Sequence, residues 1–108
     1  MIALALLAAH MIGDYIMQTG WMAANKLLNW RARAIHVTAY TAAFIPVVVL
    51  TKLNLSMMLL FVALVWITHF ITDCRRWASA DQWAPKPILV DQSIHIATLA
   101  ILGIAFRL

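Results

Sequence analysis

Long apolar runs alternate with short polar stretches along this chain of 108 residues. Four runs, at residues 2–19, 34–51, 55–73 and 88–106, come close to the roughly 20 residues that a helix needs to cross a bilayer. The connections between them are too short for a separate module. The pattern therefore predicts one membrane domain over residues 1–108, all-α and polytopic, built as a bundle of four transmembrane helices. Pro46 is expected to kink the second run, because it lacks the N–H of an interior helical bond.

Composition supports the same class. Hydrophobic residues make up 65% of the chain and charged ones 11%, and the mean hydropathy is +0.88, whereas soluble domains carry about 25% charged residues. The first run lacks a basic leader, and Gly13-Asp14 interrupts its apolar core, so it reads as a retained span and not a signal peptide. Cys74 is the one cysteine, which excludes an internal disulfide and any Cys-rich metal motif.

The basic residues predict orientation. Lys26, Arg31 and Arg33 fall between the first two runs, and Arg75, Arg76 and Lys86 between the last two, while the middle connection has Lys52 and the tail Arg107. The positive-inside rule then puts the first and third connections in the cytoplasm and both termini outside it. A net charge of +4 gathered on that face favours anionic lipid head groups. Nucleic acid is not expected as a partner, because the basic residues flank spans and form no separate basic domain.

Against this apolar background, three aspartates each have a histidine four residues away: His10/Asp14, His69/Asp73 and Asp91/His95. Such positions share one helix face a turn apart. Three of the four Asp and three of the four His are used, and there is no Glu. Simple match counting puts such a coincidence on the order of one in a thousand. Under the predicted topology each pair sets Asp nearer the cytoplasm and His about 5 Å deeper, and His36 falls in the same layer.

An Asp in a span costs about 3 kcal/mol at the bilayer centre, so three of them require partners. Imidazole and carboxylate are usual ligands of Zn²⁺, Mn²⁺ and Fe²⁺. His10, Asp14, His36, His69, Asp73, Asp91 and His95 are thus candidate ligands for one or two divalent transition-metal ions, with one carboxylate able to bridge. A buried Asp–His hydrogen-bond network without metal is the competing reading. Gln18, four residues beyond Asp14, is a candidate supporting donor, and Lys26, Arg75 and Arg76 are candidate phosphate contacts. Tyr40 could bond to the site or simply pack. Gln92, adjacent to Asp91, is expected to face elsewhere. The cytoplasmic connections, with Trp21, Trp30, Trp77 and Trp83, suit the head-group plane, and Asp81 is expected to be solvated.

The run His10-x-x-x-Asp14-Tyr-Ile-Met-Gln18-Thr-x-Trp21-Met-Ala-x-Asn25-Lys26, then His36, His69-x-x-x-Asp73 and Asp91-Gln92-x-x-His95, resembles the small membrane family catalogued as domain of unknown function 3307. The resemblance covers nearly the whole chain. It implies a multi-pass protein of the bacterial inner membrane, of bacterial or bacteriophage origin, and no defined activity. The His-x-x-x-Asp elements are more faintly similar to those of inner-membrane metal-dependent hydrolases, whose His-Arg-Gly-type element is missing here.

These readings converge on a metal centre near the cytoplasmic face that hydrolyses a lipid-like or amphiphilic ester or phosphoester. The alternative is a noncatalytic phage or bacterial protein that binds a partner membrane complex, or a second copy of itself, with the His/Asp layer structural. A metal or proton conductor is disfavoured, since the outer half of the bundle carries no ionisable residue to continue a path.

Overall fold

The computed structural model describes residues 1–74 and 86–108, and everything said of the structure concerns those residues. Arg75, Arg76, Trp77, Asp81 and Trp83 lie outside them, as does the side chain of Lys86. All regular structure among the described residues is helical: α1 (Ile2–Met11), a π-helical turn (Ile12–Ile16), α2 (Gly20–Asn25), α3 (Trp30–Ala42), α4 (Ile45–Val49), α5 (Leu55–Thr72) and α6 (Lys86–Ala105).

Polar residues at the connections start the helices. The Thr19 hydroxyl accepts from the Met22 N–H at 3.2 Å, Asn29 Oδ1 from Arg31 and Ala32 N–H at 2.9 and 3.3 Å, and Asn54 Oδ1 from Met57 N–H at 2.9 Å. Each satisfies donors that the first helical turn leaves open. Pro46 stands in the first turn of α4, where its missing N–H costs nothing. It therefore breaks the second run into α3 and α4 at Ala43-Phe44, a stronger effect than the expected kink.

Three segments are long and apolar enough to cross a membrane: Trp30–Val49, Leu55–Thr72 and Pro87–Ala105. The first apolar helix, Ile2–Ile16, is shorter than the predicted span over residues 2–19, because the chain leaves helical geometry after the π turn and restarts at Thr19. Asp14 accordingly sits in that π turn, and Asp73 caps the C-terminus of α5.

The helices form a closed ring of neighbours. α1 packs on α6, α6 on α5, α5 on α3 and α4, and α4 and the π turn close back onto α1 and α3. Each contributes a narrow inward stripe: Leu6, Ala9, His10 and Asp14; His36, Tyr40, Phe44 and Val48; Phe61, Val65, His69 and Asp73; Asp91, His95, Leu99, Leu102 and Phe106. Read along the bundle, every stripe is polar at one end and apolar at the other. Outward positions such as Leu4, Leu50, Leu59, Ile71 and Ile104 are apolar and exposed.

Candidate metal centre

The polar ends of the four stripes meet in one buried cluster. Its first component comes from three elements: Asp14 from the π turn, His36 from α3, His69 from α5 and Asp73 from the end of α5, each offering a ligand atom within 4.8 Å of the others. His36 Nε2 lies 3.1 Å from His69 Nε2, 3.2 Å from Asp14 Oδ1 and 3.4 Å from Asp73 Oδ2. His69 Nε2 is 3.6 Å from Asp14 Oδ1.

Those separations decide what the cluster can hold. A tetrahedral ion with bonds of about 2.0–2.2 Å sets its ligand atoms about 3.3–3.6 Å apart, and the four distances fall at or just below that edge length. Hydrogen bonding alone accounts for them poorly. One ring nitrogen carries at most one proton, yet His36 Nε2 faces three atoms at contact distance, one of them another ring nitrogen. Asp14 Oδ1, Asp73 Oδ2 and His95 Nε2 are buried and make no well-directed hydrogen bond among the described residues. Buried polar atoms left so are costly. A cation shared by Asp14 and Asp73 would satisfy those two oxygens together, so the residues of the first group fit a divalent ion.

A second group, Asp14, Asp91 and His95, overlaps the first through Asp14. His95 Nε2 lies 3.4 Å from Asp91 Oδ1 across one turn of α6 and 3.8 Å from Asp73 Oδ1. This is the one His/Asp pair at four residues' spacing whose members face each other directly. The ring of His69 stacks on Tyr40, with centroids 3.6 Å apart, and on His95 at 4.2 Å, which fixes its orientation between α3 and α6.

Backbone geometry aims Asp14. The Met17 N–H reaches the Ile12 carbonyl at 2.9 Å, a bond of five residues' span that widens the turn. Gly13 lies against α3, where an added Cβ would meet Tyr40 Cδ2 at 2.8 Å and the Tyr40 backbone at 3.0 Å. Only glycine lets the π turn approach this closely.

His10 stands apart from both groups. Its Nδ1 is 3.0 Å from the Tyr40 hydroxyl, and its Nε2 is 2.8 Å from Gln92 Oε1. The amide nitrogen of Gln92 donates to Asp14 Oδ2 at 2.7 Å and to Asp91 Oδ2 at 3.3 Å. His10 therefore reaches Asp14 through Gln92, and not directly as the four-residue spacing predicts. Gln92 faces the site, against expectation. Its signal in the sequence is an amide in an apolar stretch, where an unbonded one would be costly.

The Lys26 ammonium, expected at a phosphate, is buried and lies 3.2 and 3.1 Å from the two oxygens of Asp73. Arg33 is also buried, donating to the Lys26 and Leu27 carbonyls at 3.3 and 3.4 Å with its guanidinium 4.5 Å from the centre of the Phe70 ring. Gln18 shows no bond to the cluster, and its Oε1 is buried without a hydrogen-bond partner among the described residues.

A family model described as "Protein of unknown function (DUF3307)" matches residues 2–107. The chain belongs to this family. The DUF3307 match runs through all four helical stripes and so includes every residue of the cluster. No curated protein and no solved structure matches this DUF3307 chain, so the similarity to metal-dependent hydrolases gains no support from known proteins.

Proposed function

We propose that this protein crosses the bacterial inner membrane four times, with both termini outside the cytoplasm, and that Asp14, His36, His69 and Asp73 bind a divalent transition-metal ion with which it hydrolyses a lipid-like ester or phosphoester. The observation that carries the reading is the convergence of two imidazole nitrogens and two carboxylate oxygens at 3.1–3.6 Å spacings. The ion would supply an acidified water and a Lewis acid for the substrate oxygen. The surrounding chain holds the ligands in place: Gln92 fixes Asp14, Tyr40 orients His10 and His69, and Lys26 balances charge on Asp73.

Two further observations support a membrane setting and an amphiphile. The long dimension of 44 Å is comparable to the about 40–45 Å of a bilayer with its head groups. A groove of about 370 Å³ between α1 and α6 is lined by apolar residues that include Leu7, Ile96, Leu99 and Gly103. Leu99 also borders a small cavity against His69 and His95, so the same side chain lines the groove and touches the edge of the polar cluster.

The contacts of Gln92 and Lys26 favour a second reading, since they tie helices together without an ion. In it the layer is structural, and the protein serves by binding a membrane partner. One experiment distinguishes the two. Full-length protein purified in detergent without chelator is expected to carry one transition-metal ion per chain by elemental analysis, and to hydrolyse at least one member of a phospholipid and ester panel. His69→Ala and Asp73→Ala should each lower the metal content well below half. Folded, metal-free protein that retains its biological function would overturn the metal reading in favour of the structural one.

A further inference from the structure

Two cations, Lys26 and Arg33, are buried beside the cluster. Lys26 closes α2, where its N–H reaches the Met22 carbonyl at 2.9 Å. Its own carbonyl and that of Leu27 accept from Arg33 Nη1 at 3.3 and 3.4 Å, and the Arg33 guanidinium rests 4.5 Å from the centre of the Phe70 ring on α5. The backbone at Lys26 is thus pinned among α2, α3 and α5, which leaves the four-carbon stem to place the charge. The ammonium ends 3.2 Å from Asp73 Oδ1 and 3.1 Å from Asp73 Oδ2, with both side chains buried.

A buried pair of this kind adds little net stability over apolar side chains of the same volume, because both charges lose their water. Its position says more. Asp73 Oδ2 is also the oxygen that lies 3.4 Å from His36 Nε2, within the group formed by Asp14, His36, His69 and Asp73. The ammonium therefore touches a ligand atom of the proposed ion site. A divalent ion bound through that oxygen at about 2.0–2.2 Å would stand within a few ångströms of the ammonium, where two cations repel strongly in a low-dielectric interior. One carboxylate cannot serve both at full strength.

We propose that Lys26 is a built-in competitor for the ion: its ammonium and the divalent metal contend for Asp73, so metal entry loosens Lys26, and Lys26 limits how tightly metal is held. This rests on the ion site of the proposed function and names a regulation of it. By linkage the two effects are reciprocal. Their sign does not depend on the remaining charges of the cluster, because the same ones are present with the ammonium and without it. Arg33 acts through Lys26 as a positioning residue, holding the carbonyl from which the stem departs. The competition also reconciles two roles of one side chain, which ties the end of α2 to the end of α5 and yields that tie to a stronger cation.

The test measures Zn²⁺ affinity of the full-length protein in detergent, by competition with a chelating dye, for wild type, Lys26→Met and Lys26→Arg. Lys26→Met keeps most of the stem and removes the charge, and should bind Zn²⁺ at least about tenfold more tightly. Loss of a purely structural contact would move the affinity the other way. Lys26→Arg keeps the charge and should stay close to wild type. After chelator treatment Lys26→Met should melt below wild type, because Asp73 has lost its partner, and saturating Zn²⁺ should narrow that gap. Unchanged or weaker Zn²⁺ binding by folded Lys26→Met overturns the proposal, as does equal tightening in Lys26→Arg. Should Lys26→Met not fold, wild type decides: labelling of the Lys26 amine by an amine-reactive reagent, read by peptide mass spectrometry, should rise on adding Zn²⁺, and labelling that stays level or falls overturns the competition. Absence of bound Zn²⁺ from wild type and both variants would instead remove the ion site itself, and with it the proposed function, so the two failures are distinguishable.

Discussion

The two ends of the same four helices hold together by different physics. At the apolar end, Leu6, Phe44, Val48, Phe61, Leu102 and Phe106 pack without polar groups, and Phe61 meets Phe106 edge to face at 5.3 Å. Such contacts are numerous, weak and non-directional. At the other end, His10, Asp14, His36, His69, Asp73, Asp91 and His95 replace them with directional groups, and Asp14 Oδ1, Asp73 Oδ2 and His95 Nε2 make no well-directed hydrogen bond among the described residues. The comparison teaches a division of labour: the apolar end contributes stability, and the polar end spends part of it on buried groups that could hold a metal ion.

Cutting into the apolar end should produce the largest change. Phe61→Ala removes a fully buried ring between α5 and α6, and should cost about 3 kcal/mol by cavity formation and lost dispersion. Melting in detergent should fall while metal bound per folded molecule stays constant. A proportional drop in metal per folded molecule would show that the two ends are not separable.

Gly13→Ala acts at the border and sharpens the comparison. Its methyl group would press on Tyr40 at 2.8–3.0 Å, against backbone as well as ring, so α3 and the π turn must part. Overpacking of this kind costs about 1–3 kcal/mol. Because Asp14 is the next residue, metal affinity should fall with it, unlike in Phe61→Ala. Unchanged affinity in the destabilised variant would mean that the π turn does not position Asp14.

Tyr40→Phe should give the smallest loss of stability. It keeps the stack on His69 and removes the hydroxyl that meets His10 Nδ1, at a cost of about 1 kcal/mol. Metal affinity should nevertheless weaken, by up to roughly tenfold, because the hydroxyl holds His10, His10 meets Gln92, and Gln92 fixes Asp14. Isothermal titration beside a melting curve would read both. Equal or greater harm to melting would count against a separate binding role for this end.

Much of this organisation is visible in the residues. The apolar runs at 55–73 and 88–106 anticipate α5 and α6, since their length and hydrophobicity leave few alternatives. The four-residue His/Asp spacing marks the polar layer because nothing else in those runs is ionisable. What spacing cannot supply is the rotation of one helix against another. His10 is thus found on Tyr40 and Gln92, not on Asp14, and Gln92, one position from Asp91, turns toward α1. Lys26 reads as a head-group residue from its neighbours Trp21 and Trp30, yet α2 folds back on α3 and brings it to Asp73. The π turn also escapes, because the i→i+5 bond coincides with a close contact between Gly13 and Tyr40, two residues far apart in sequence.

The widened turn makes residue count part of the code. In an uninterrupted α-helix Asp14, eight residues after Leu6, would sit about 80° around the axis from it, at the edge of the stripe that Leu6, Ala9 and His10 bury and far from Ala9. The wider turn takes up part of that drift, so one helix serves the packing face and the ligand face at once. A substitution outside the stripe can leave this phase intact, but removing or adding one residue between Leu6 and Asp14 cannot. Relatives of this chain should therefore vary in identity along the outward face of α1 far more freely than they vary in length there.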